Sequence, residues 1–63
     1  MQLMRTSNWN GKVDLFDVIV IEKTNDSYKV TVDLGKGPET IHGMPAPGKG
    51  RLSSRWYDYE LTD

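Results

Sequence analysis

Leu15-Phe16-Asp17-Val18-Ile19-Val20-Ile21-Glu22-Lys23, followed across Asn25-Asp26-Ser27 by Tyr28-Lys29-Val30-Thr31-Val32-Asp33-Leu34, decides the fold. The first run is rich in β-branched residues, with Phe16, Val18 and Val20 on one face of an extended chain and Leu15, Ile19 and Ile21 on the other. Apolar side chains on both faces predict a central strand covered on both sides. The second run alternates: Tyr28, Val30, Val32 and Leu34 share the inward face, and Lys29, Thr31 and Asp33 face water. Between them Asn25-Asp26-Ser27 supplies turn chemistry, because short polar side chains bond the local backbone and tolerate unusual dihedrals. The two runs therefore form an antiparallel hairpin.

Working outward, Gly35-Lys36-Gly37-Pro38 breaks the pattern and predicts a turn, since glycine permits positive φ and proline lacks a backbone donor. Thr40 to Met44 reads as a short third strand. Met44 to Gly50, with two prolines and two glycines, reads as a loop. Arg55 to Leu61 alternates again, Tyr57, Tyr59 and Leu61 against Trp56, Asp58 and Glu60, and closes the sheet. Upstream, the Asn10-Gly11 turn dipeptide lets Leu3 to Asn8 pair back on the strand that follows. No stretch has capped helical periodicity.

Four to five short strands in one domain spanning 1–63 predict a mainly β protein: an antiparallel meander curled into an SH3-like, or alternatively OB-like, partly open barrel. A long hairpin, a short strand and an aromatic closing strand in that order resemble Tudor-type SH3-like barrels. The resemblance implies a fold and carries over no site residues.

Composition narrows the function. A chain of 63 residues buries only about 60% of its unfolded surface, so its core is small. It holds no cysteine and one histidine, which leaves neither disulfide nor zinc to stabilise it. Packing must do so, with self-association to a homo-oligomer open as a further contribution. The start Met1-Gln2-Leu3-Met4-Arg5 lacks the pattern of a secretory signal, and Val18 to Ile21 is far shorter than the roughly 20 apolar residues of a membrane helix. A soluble, cytoplasmic protein without membrane contact is expected. With 8 Lys plus Arg against 9 Asp plus Glu, the net charge of −1 provides no overall attraction to phosphate or acidic lipid.

Motifs of catalysis fail on inspection. Gly43-Met44-Pro45-Ala46-Pro47-Gly48-Lys49 matches the GxxxxGK half of a phosphate-binding loop, but Gly50 stands where Ser or Thr should hold magnesium and no helix follows. His42 has no second histidine or cysteine to complete a metal site. Ser53-Ser54 lack an identifiable base; carboxylates occur as Asp14 with Asp17 and as Asp58 with Glu60, and the second pair, on one strand face, reads as solvated rather than as a divalent-ion or paired-acid site. Asn25-Asp26-Ser27 forms a glycosylation sequon that is incidental without export. No enzyme activity, no cofactor and no metal are expected.

Aromatic residues carry more information. Trp56, between Arg55 and Asp58, is either packed under the N-terminal arm or the Met44 to Gly50 loop, or exposed as an interface anchor. Trp9 faces the same choice; the two tryptophans either pack together or mark an adhesive surface. Lys36, Lys49, Arg51 and Arg55 form a regional cationic bias on glycine-rich loops. The expected function is a small protein-binding module, a regulator or inhibitor of a larger partner, that uses Trp56, Trp9, Arg55, Arg51 and Lys49. The alternative is a small-barrel binder of single-stranded nucleic acid, in which the cations contact phosphates and Trp56 stacks on a base.

Overall fold

The computed structural model describes residues 1–62, which form six antiparallel strands. They are β1 (Gln2–Ser7), β2 (Val13–Thr24), β3 (Ser27–Asp33), β4 (Pro38–Met44), β5 (Leu52–Ser53) and β6 (Tyr57–Thr62). Their lateral order is β4-β3-β2-β1-β6-β5, curled into a partly open half-barrel. No helix forms among the described residues, and none is therefore long and apolar enough to cross a membrane. The count exceeds the expected four to five because two residues, Leu52 and Ser53, pair with Tyr59 and Asp58 as a separate edge strand.

The hairpin of β2 and β3 forms as its sequence dictates. Thr24 lies opposite Ser27, so Asn25 and Asp26 make a two-residue turn with Asn25 at φ 21°. Val30 and Val32 are fully buried, and Tyr28 and Leu34 pack against them. The N-terminal arm becomes β1, with Leu3 opposite Phe16 and Thr6 opposite Val13, and Gly11 at φ 74° turns the chain between the two strands. On its other side β1 pairs with β6, bringing Leu3 beside Leu61. Among the described residues the buried core is Leu3, Val30, Val32, Met44 and Leu61; Phe16, Val18, Ile41, Leu52 and Tyr59 are among its half-buried surround.

β2 departs from expectation. It pairs with β1 over Val13–Asp17 and with β3 only from Val18 onward, so it serves two half-sheets in succession. The junction is a β-bulge: Val18 faces Val32, but Val20 faces Thr31, leaving an extra residue on β2. Before the bulge Phe16 and Val18 look inward. After it the facing set shifts, and Ile21 stands opposite buried Val30 while Val20 turns outward with Leu15 and Ile19. Unbroken alternation of Phe16, Val18 and Val20 is thereby overturned, as is a strand covered on both faces, because one layer of sheet covers one face only.

Pro38 opens β4 rather than ending in the preceding turn, a place where its missing donor costs nothing on a sheet edge. A second irregularity lies between Tyr28–Met44 and Val30–Ile41, where Gly43 takes φ 78°.

Candidate functional site

Two turns meet at one end of the half-barrel and carry the two tryptophans. The first follows β1: Ser7 Oγ accepts the Trp9 N–H at 3.2 Å and the Asn10 N–H at 3.4 Å, and Asn10 Oδ1 accepts the Lys12 N–H at 2.9 Å. The second precedes β6. There Ser54 Oγ donates to the Tyr57 carbonyl at 2.8 Å, and the Tyr57 N–H lies 3.2 Å from the same hydroxyl oxygen. Asn8 joins them, its N–H donating to the Trp56 carbonyl at 2.9 Å and its Nδ2 to the Ser54 carbonyl at 3.0 Å. Short polar side chains thus fix the backbone beneath both indoles. Ser54 is a turn clamp in this arrangement.

Trp9 is 85% exposed and Trp56 59% exposed, and with Ser7 and Tyr57 they line a cleft of about 390 Å³. At that exposure Trp56 is not packed beneath the N-terminal arm or the Met44 to Gly50 loop. It sits in the turn before β6, not on the strand face opposite Tyr57, since β6 begins at Tyr57. Arg55 lies over its indole, with Cζ 5.1 Å from the ring centroid, a cation–π contact that places a positive charge at the rim.

Behind the cleft stands a group that no motif in the sequence marks. Arg5 lies on the inward face of β1 with its guanidinium between two rings, 4.9 Å from the Phe16 centroid and 4.4 Å from that of Tyr57. Its Nη2 meets Asp14 Oδ2 at 3.3 Å, while Nε is buried with no hydrogen-bond partner among the described residues. The signal was available in principle: Leu3 and Arg5 are two apart, and so are Asp14 and Phe16, so on paired strands all four share a face. The stack holds Tyr57 as a wall of the cleft. Tyr59, whose ring centroid is 6.1 Å from that of Tyr57, sits deeper. Burial raises its phenol above the ordinary value, Arg5 opposes the rise, and Tyr57 and Glu39 add to it.

Of the expected site residues, Trp9 and Trp56 line the cleft; Arg55 touches it only through the Trp56 ring, and Lys49 and Arg51 do not line it. Arg51 turns instead to Asp58, with Nη1 3.8 Å from Oδ2, which also engages one member of the Asp58–Glu60 pair. Lys49 belongs to the loop after β4, where its N–H donates to the Ala46 carbonyl at 2.9 Å. That loop leads through Gly50 into β5, with no helix behind it to cradle a phosphate. Asp14 and Asp17 point to opposite sides of β2, Asp14 to Arg5 and Asp17 to Gln2 Nε2 at 3.3 Å. No family model, curated protein or solved structure matches the chain.

Proposed function

We propose that this chain is a small non-enzymatic protein-binding module of the cytoplasm, a regulator or inhibitor that grips a larger partner with the cleft between Trp9 and Trp56. One observation carries the reading: two large indoles stand exposed on turns pinned by Ser7, Ser54 and Asn8, and both open on the same cleft. An indole held by its backbone loses little conformational freedom on binding and brings a large apolar area, which is why tryptophan recurs among the side chains that dominate interfaces. Arg55 at the rim adds charge selectivity, favouring a partner surface with a carboxylate near an apolar anchor.

The test is capture from a nuclease-treated lysate by the parent chain and by a Trp9→Ala/Trp56→Ala variant with a parent-like fold. The expected result is a protein retained by the parent, lost with the double variant and unaffected by nuclease. Loss of every partner on nuclease treatment would instead favour single-stranded nucleic acid stacked on the same indoles.

A further inference from the structure

β2 is paired on one side only along its first half. Residues 13–17 pair with β1, and β3 joins β2 from Val18 onward on the other side. In an antiparallel ladder successive residues direct their N–H and C=O groups alternately to the two sides. Val18 donates its N–H toward β1, to the Met1 carbonyl at 3.3 Å, so Leu15, three residues away, directs its own groups to the opposite side. No strand lies there among the described residues. That unpaired edge opens on a cleft of about 570 Å³ whose lining includes Leu15, Phe16, Asp17, Ile19, Asp33 and Leu34.

Three independent features of this cleft agree. Its backbone edge is free from Val13 to Leu15, ahead of the first β2–β3 pair. Its apolar lining is uncovered, with Leu15 56% and Ile19 55% exposed. Its two carboxylates form no ion pair among the described residues: Asp17 accepts from Gln2 Nε2 at 3.3 Å, and Asp33 Oδ1 accepts from the Gly35 N–H at 2.8 Å. The other edges are defended against added strands. β4 starts on Pro38 and bulges at Gly43, β5 is two residues long, and the second half of β2 follows a bulge and carries Glu22 and Lys23.

We propose that this cleft is a second docking surface, which takes an extended segment of a partner protein as an added strand along Val13–Leu15, the segment alternating apolar residues with Lys or Arg. Its backbone pairs with the free groups of Leu15, its apolar side chains cover Leu15, Ile19 and Leu34, and its cations meet Asp17 and Asp33. The cleft shares no lining residue with the tryptophan cleft, so the two surfaces are able to hold different segments at once.

The probe is a synthetic peptide of alternating valine and lysine, titrated into the intact chain while amide shifts and hydrogen exchange are followed by NMR. At saturation the Leu15 amide is expected to exchange at least about tenfold more slowly, because an edge N–H gains a partner. A peptide N-methylated on its edge-facing amides, and one with glutamate for lysine, should not bind. Asp17→Asn/Asp33→Asn, which keeps both accepted hydrogen bonds, should weaken binding about tenfold through loss of two ion pairs. Trp56→Ala should bind the peptide as the parent does. The proposal is overturned by an unchanged Leu15 amide, by parent-like affinity of the asparagine variant, or by loss of binding in a folded Trp56→Ala variant. It is equally overturned if Leu15 is protected without peptide in a concentration-dependent dimer, since a second copy would then fill the cleft.

Discussion

Val30→Asp should unfold the protein, whereas Ile19→Asp, a substitution as drastic in chemistry, should leave it folded. Val30 is wholly buried in a core of five residues, between Ile21 on β2 and Ile41 on β4. Replacing it forfeits about 1.5–3 kcal/mol of apolar burial and adds a desolvation penalty of several kcal/mol for an unpaired carboxylate. At roughly 0.05–0.15 kcal/mol per residue, a chain of 63 residues has only about 3–9 kcal/mol in total to lose. The two terms together reach that total. Part of the charge cost is avoided if the new carboxyl keeps its proton, so Val30→Asp should recover some structure in acid. Ile19 sits at the bulge with 55% of its surface already in water, and its replacement should cost under about 1 kcal/mol. For a domain of this size each kcal/mol moves the melting temperature by about 4–8 °C. The assay is thermal melting by far-UV circular dichroism, with NMR amide dispersion as a check of the native fold. A cooperative melt of Val30→Asp within a few degrees of the parent would refute the placement of the core. An unfolded Ile19→Asp would refute the claim that the outer face of β2 is uncovered.

Trp56→Ala should weaken partner binding by 2 kcal/mol or more, against under about 1 kcal/mol for Lys49→Ala, and the affinity should survive physiological salt. A steep salt dependence that flattens with Lys49→Ala or Arg51→Ala, measured on a single-stranded oligonucleotide, would replace that reading with phosphate binding. Arg5→Met should change stability by less than Arg5→Ala, because methionine still fills the gap between Phe16 and Tyr57 and removes the unpartnered Nε; equal losses in urea melts would count against the packing role. Tyr59 has a folded pKa above its ordinary 10.0, so its contribution to stability is complete below that value and is lost as pH rises through the raised one. Phenolate absorbance should show one late-titrating tyrosine that disappears in Tyr59→Phe, and its persistence would assign the shift to another ring.

The local sequence determined the hairpin of β2 and β3, its Asn25-Asp26 turn and the inward set Tyr28, Val30, Val32 and Leu34. Period-two alternation and short polar turn residues act over a few positions, so they are legible without knowing what packs on them. The inward set Tyr57, Tyr59 and Leu61 was legible for the same reason. Tertiary structure alone decided which apolar face of β2 found cover. Leu15, Ile19 and Val20 carry the composition of a buried strand, but a six-strand half-barrel has one inner side, and the bulge after Val18 spends the continuity that pattern reading assumes. It also decided that Trp9 and Trp56, 47 positions apart, stand at one cleft, because β1 lies beside β6 and Asn8 ties their turns together. Arg5 meets Phe16 and Tyr57 by the same pairing of β1 with both its neighbours. Side chains brought together across strands obey register, and register is a property of the assembled sheet rather than of any one segment.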